Sequence, residues 1–149
     1  MRKQGSLLVV LTVACMALFA ACTPAPVPTA TVDCRTFGPG VDLRGCDLTN
    51  APLTNADLTG ANLTGANLSY ARAKGVNLSG ANLTGANLSY ANVTVANMID
   101  ANLSFADLTG ANLSTADLTD AYLFGATWSN TVCPNGVVQS TQCPRTEAG

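Results

Sequence analysis

Between Val41 and Asn130 the chain repeats itself every five residues, without an insertion or deletion that shifts the frame. Leu43, Leu48, Leu53, Leu58, Leu63 and Leu68 begin the series of centres, which runs to Trp128 and is varied by Ala73, Val93 and Met98. Two residues before each centre stands alanine, or in a few units Val41, Cys46 or Val76. The strongest unit reads Ala-Asn/Asp-Leu-Thr/Ser-Gly. A period of five matches neither the 3.6 of an amphipathic helix nor the 2 of a strand. It matches a coil in which each short segment turns a corner before the next begins, the centre and the residue two before it pointing inward. Alanine permits close backbone approach, leucine fills the axis, and Gly60, Gly65, Gly80, Gly85 and Gly110 supply the turn. Asn or Asp before the centre is placed to hydrogen-bond locally at the corner.

These eighteen successive units resemble the pentapeptide-repeat family. The resemblance covers residues 41–130 and implies an all-β fold, a right-handed quadrilateral β-helix with four repeats per coil and about 4.5 coils. Residues twenty apart then stack, and at about 4.8 Å between coils the body is roughly 20 Å long. Stability becomes a sum of neighbouring-coil terms rather than the product of one large core. The same rule places Tyr70 and Tyr90 on one face in adjacent coils, with Arg72 and Lys74 beside them, and stacks Ala73 on Val93. Two readings of this patch stand: packing variation with a surface stack, or a shallow aromatic and basic patch for a partner. Asp57 and Asp117 are assigned to different columns.

Composition narrows the function. Hydrophobic residues form 48% of the chain but aromatics only 5%, and histidine is absent. The usual neutral-pH acid/base and the usual nitrogen metal ligand are therefore missing. No nucleophile is paired with a base, no carboxylate pair stands out from the repeat decoration, and no catalytic residue, cofactor or metal is expected. The formal net charge of −2 excludes a basic nucleic-acid footprint. Some cytoplasmic members of the family imitate DNA with a dense anionic surface. Here most positions before the centre are Asn, charge is not expected to concentrate, and no nucleic-acid-linked partner is expected. The Asn-Leu-Ser/Thr triplets match a glycan acceptor pattern but arise from the repeat itself.

The flanks carry an address and two caps. Arg2 and Lys3 precede an apolar run from Leu7 to Ala21, which has the proportions of an export signal and is short for a membrane span. Leu18-Phe19-Ala20-Ala21-Cys22 is similar to a bacterial lipoprotein box, although Phe19 stands where that family prefers an aliphatic residue. The resemblance implies a signal peptide at 1–21, lipidation of Cys22, and a cell-envelope protein anchored on the extracytoplasmic side, in the outer membrane where there are two. Cleavage at another nearby site and an uncleaved anchor are the competing readings. Residues 22–32, with prolines at 24, 26 and 28, read as a semi-rigid tether. Residues 33–40 form an N-terminal cap, and residues 131–149 a C-terminal cap and tail.

With Cys22 assigned to lipid, Cys34, Cys46, Cys133 and Cys143 remain in an oxidising compartment, where three connectivities are open. A β-helix body between the two clusters favours Cys34 with Cys46 and Cys133 with Cys143. Trp128 is expected to seal the leucine ladder together with Val132, Val137 and Val138. The resulting expectation is a non-enzymatic, membrane-tethered structural or interaction scaffold whose partner is not named by the sequence. The alternative is a specific binding module for an envelope protein or polysaccharide through the Tyr70/Tyr90 face. Oligomeric state is left open.

Overall fold

The computed structural model describes residues 32–144. The expected signal peptide, Cys22, all but the last residue of the expected tether and the tail from Arg145 lie outside the described residues.

The five-residue units wind into four-sided coils. Fifteen parallel bridges join residues that are in every case twenty apart, from Asp42 with Asn62 to Asn112 with Val132. They sort into four columns, one per side. Side one carries Asp42, Asn62, Asn82, Asn102 and Tyr122; side two carries Asp47, Asn67, Asn87, Asp107 and Thr127. Side three carries Pro52, Arg72, Asn92, Asn112 and Val132; side four carries Asp57, Asn77, Asn97 and Asp117. Asp57 and Asp117 thus share a column. Their separation of sixty residues is three whole coils, so the expectation of different columns is corrected.

Backbone hydrogen bonds run between coils at every side. On side one the Leu63 amide donates to the Asn82 carbonyl at 2.7 Å, and the Asn82 amide donates back to the Ala61 carbonyl at 2.9 Å. Within each unit the amide two before a centre donates to the preceding centre's carbonyl, as Ala86 does to Leu83 at 3.0 Å. That i→i+3 bond closes a corner whose third residue is left-handed. From Gly40 to Asn130 every fifth residue has a positive φ, and ten of these are not glycine. Asparagine and aspartate tolerate this region, but Val95 at +59° and Thr115 at +57° are β-branched residues held in a conformation that such side chains avoid. The surrounding coils impose it, because relaxing one corner would break the bonds above and below.

The interior is a set of ladders. Leu43, Leu63, Leu83, Leu103 and Leu123 stack behind side one, and the alanines two before them are equally buried from Ala61 onward. Met98 takes the central slot on side four, and Ala73 and Val93 take it on side three. Each buried leucine contributes about 1.5–3 kcal/mol relative to exposure.

The coil continues one unit beyond residue 130. Thr131 fills the inward slot that alanine occupies elsewhere, its hydroxyl donating to the Leu108 carbonyl at 2.8 Å. Cys133 fills the leucine slot, and the Thr115 amide reaches the Pro134 carbonyl at 2.9 Å. Among the described residues, only here does a two-residue antiparallel pair form: β1 (Thr131–Val132) against β2 (Val138–Gln139), with Val132 opposite Val138.

Disulfides pin both ends. Cys34 joins Cys46 across 12 residues of sequence, and Cys133 joins Cys143 across 10. Cys143 is itself buried, so the C-terminal bridge closes over the last coil. Trp128 is buried at the end of the side-two ladder, but Val137 and Val138 are exposed. The expected valine seal is therefore corrected: the bridge and Thr131 cap the interior, while the turn carrying Val137 projects outward.

Candidate functional site

The outward residues of each unit are held by a local motif. The Asn62 Oδ1 accepts from the Thr64 amide at 3.2 Å and from its hydroxyl at 2.7 Å. Asn82 with Thr84, Asn92 with Thr94 and Asn112 with Ser114 repeat the arrangement. This explains why Asn or Asp precedes the centre and Thr or Ser follows it: the pair straps the turn to its side. At Asp47 and Asp57 the same bonds stabilise the charged form. The Thr49 hydroxyl, then its amide, holds Asp47 below the usual carboxylate range, and Thr59 does the same for Asp57. For Asp42 the leading cause is the Arg44 guanidinium, whose Nη2 lies 2.7 Å from Oδ2.

These carboxylates are structural straps, and the four cysteines among the described residues are committed to disulfides. Among the described residues, no three of His, Cys, Asp and Glu are grouped so as to hold a metal ion. No helix there is long and apolar enough to cross a membrane.

Two aromatic features break the polar surface. Tyr70 and Tyr90, in the corner between sides two and three, stack with ring centroids 5.1 Å apart and planes 10° from parallel. Both stand in the left-handed slot, at +58° and +57°. The Tyr90 ring lies over the next corner residue, Gly110, where a Cβ would sit 2.5 Å from Tyr90 Cδ1. That column runs Asn50, Tyr70, Tyr90, Gly110 and Asn130: the Tyr70 ring meets Tyr90 as a stacking partner, and the Tyr90 ring leans onto the coil that follows, where glycine leaves it room. Arg72 and Lys74, one and three residues along from the corner alanine, are exposed on side three. The structure therefore brings together all four residues of the proposed patch along one edge and the side next to it.

The second aromatic feature was not anticipated from the sequence. Phe105 and Phe124 meet edge to face with centroids 5.4 Å apart, and Tyr122 is exposed two residues before Phe124. Phe105 repeats the packing seen at Tyr90, its ring lying over Gly125 in the next coil. The usable signal was the spacing: Phe105 and Gly125 are twenty apart, like Tyr90 and Gly110.

A repeat of five, coils of twenty, left-handed corners and Asn–Thr straps define the scaffold, and a family model agrees with it. The model for pentapeptide repeats matches residues 42–80 and 77–114, in 8 copies. The chain belongs to the pentapeptide-repeat family.

Solved structures place this pentapeptide-repeat protein among known β-helices. It is similar to HetL, a pentapeptide repeat protein involved in heterocyst differentiation regulation from the cyanobacterium Nostoc sp. strain PCC 7120, at 27% identity and a TM-score of 0.51. That match covers 67% of this chain and 65% of HetL, so the chain spans somewhat less than two thirds of that relative's length. A pentapeptide repeat protein from the thylakoid lumen of Arabidopsis thaliana is 39% identical, with a TM-score of 0.46, over 56% of this chain and 62% of that one. No curated protein matches the sequence.

Proposed function

We propose that this pentapeptide-repeat protein is a membrane-tethered scaffold of the bacterial envelope. In this reading Cys22 carries the lipid, residues 22–32 act as the spacer, and the β-helix is presented on the extracytoplasmic side, at the outer membrane where two membranes exist. The observation that carries the reading is the pair of disulfides closing the two ends of the repeat. Such bonds persist in oxidising compartments and are rare where thiols are kept reduced. The apolar run from Leu7 to Ala21, ending on Cys22, supplies an export address consistent with them. A lipidated terminus with more than one acyl chain holds a protein on a bilayer without a spanning helix. The scaffold works by geometry: rows of Asn, Thr and Ser at coil spacing on flat sides, standing off a membrane.

The test is incorporation of radiolabelled palmitate by the wild-type protein and by Cys22→Ser in a bacterial host. Label in the wild type and none in the variant is expected. Label that persists in Cys22→Ser sinks the assigned site, and an unlabelled wild type sinks the anchor.

The second reading, a binding module for an envelope protein or polysaccharide through the Tyr70/Tyr90 face, is favoured by one observation. The two rings are stacked and yet each is 55% exposed. A stacked pair that keeps half its surface in solvent presents a flat, pre-ordered aromatic edge at low entropic cost.

A further inference from the structure

Folding the sequence into four columns reveals a charge asymmetry that a linear count hides. Side three and the two corners that bound it comprise residues 50–55, 70–75, 90–95, 110–115 and 130–135. They contain no acidic residue. They contain Arg72 and Lys74, both exposed and neither engaged in an ion pair among the described residues. The rest of the repeat carries seven aspartates (42, 47, 57, 100, 107, 117 and 120) against one cation, Arg44, which is paired with Asp42. Asp100 and Asp120 stack in the corner between sides four and one, diagonally across from Tyr70 and Tyr90. The expectation of unconcentrated charge is thereby corrected. The β-helix is polarised across its width, with its only acid-free side next to the aromatic stack.

From this arrangement we propose that side three, with the Tyr70/Tyr90 corner, is a docking surface for an anionic polysaccharide. The proposal rests on the binding reading of the Tyr70/Tyr90 face and names its ligand class. Arg72 and Lys74 supply the complementary charge, and the absence of carboxylates on this side removes the repulsion an anionic polymer meets elsewhere on the body. The exposed tyrosine edge offers flat aromatic surface for the apolar faces of sugar rings. Further along side three, Asn92 and Asn112 direct their Oδ1 atoms to their own turns at Thr94 and Ser114. Their Nδ2 groups remain as donors for carboxylate or hydroxyl oxygens. Rigid coils set these groups in register before any ligand arrives, so binding orders little of the protein.

The experiment measures binding of the full-length protein in detergent to polygalacturonate, to neutral dextran, and to vesicles of phosphatidylcholine and phosphatidylglycerol in equal parts. Polygalacturonate is expected to bind in a salt-sensitive manner, and dextran is not. Arg72→Gln/Lys74→Gln and Tyr70→Asn/Tyr90→Asn are each expected to weaken binding roughly tenfold or more. Asparagine is chosen because it accepts the left-handed corner, and circular dichroism checks that both variants stay folded. Asp100→Asn/Asp120→Asn alters charge to the same extent on the far corner and is expected to change affinity less than threefold at moderate salt.

Equal binding by wild type and both patch variants overturns the proposal, as does an absence of polymer binding. A far-corner effect as large as that of the cations shows a response to net charge alone and also overturns it. Vesicle binding that equals or exceeds polymer binding reassigns the surface to anionic lipid. Capture of an envelope protein that is lost in Tyr70→Asn/Tyr90→Asn, with no polymer binding, sinks the polysaccharide while leaving the binding reading in place.

Discussion

Leu83→Asp is expected to abolish cooperative folding of the repeat. Leu83 is fully buried, with Leu63 in the coil before it and Leu103 in the coil after. An aspartate there loses the leucine's burial, worth about 2–5 kcal/mol in large-to-small core changes, and adds the cost of an unpaired carboxyl in an apolar axis. No cation is near enough in the interior to pair with it, since the inward slots of its coil and of the coils on either side are filled by Ala, Leu, Val and Met. The total exceeds the roughly 4–5 kcal/mol that marks an exceptional single substitution. The site matters as much as the chemistry. Each coil touches only its neighbours, so a defect in the middle removes the nearest-neighbour terms on both sides and divides the stack. Loss of the cooperative thermal transition by circular dichroism is the expected observation. The control is Thr84→Ala, which alters an outward strap on the same coil and should retain the transition, at a cost of about 1 kcal/mol. A Leu83→Asp protein that melts within a few degrees of the wild type would show that the axis is not dry.

Cys133→Ser is the second large effect, with an expected loss of about 3 kcal/mol. Cys133 has two tasks. It closes a ten-residue separation with Cys143, and a loop of that length corresponds to about 2.7 kcal/mol of unfolded-state entropy. It also occupies the central inward slot of side three, which Leu113 fills in the coil before. Its removal therefore loosens the last coil and uncovers the end of the Leu113 ladder. An open solenoid end offers unpaired backbone groups to other chains, so the variant is also expected to self-associate. Urea unfolding combined with light scattering measures both effects. A midpoint unchanged from wild type, with no association, would show that the terminal hairpin caps the coil without the bridge. Cys143→Ser separates the two tasks, because it removes the bridge while leaving the inward Cys133 side chain in place.

How much of this was legible in the residues depends on how each feature is encoded. The period of five was legible because the frame never slips, the Ala and Leu slots staying in phase from Val41 to Trp128, and the resemblance to pentapeptide repeats implied the coil of four units. The Tyr70/Tyr90 stack followed from the same arithmetic. The end of the coil was harder to read, because the last unit writes Thr131 and Cys133 into the Ala and Leu slots and the residue types no longer look like the repeat. The valines misled for a related reason. Val137 and Val138 have core-like side chains, but Gly136 at a φ of +80° turns them away once the frame has ended.

The corners show a deeper limit. Glycine at every fifth residue hints at a left-handed turn, but Tyr70, Tyr90, Val95, Phe105 and Thr115 occupy the same slot with the same backbone. Intrinsic preference argues against them, and only the bonds between coils hold them there. The polarised charge was hidden for a geometric reason. Arg72 and Lys74 lie in a stretch, 58–99, that holds no acidic residue, but only sorting by side shows that side three is free of acids along its whole length. Neither the strain nor the polarity belongs to any single unit; both are properties of the stack.

The central claim is that residues nineteen or twenty-one apart are joined by backbone hydrogen bonds throughout the repeat. Scalar coupling across a hydrogen bond, measured by NMR on isotopically labelled protein, tests it at a single bond. The structure predicts coupling between the Leu83 amide nitrogen and the Asn102 carbonyl carbon, whose oxygen lies 2.7 Å from that nitrogen. Coupling from Leu83 to the Ser79 carbonyl instead, four residues back as in an α-helix, would contradict the β-helix and everything built on it.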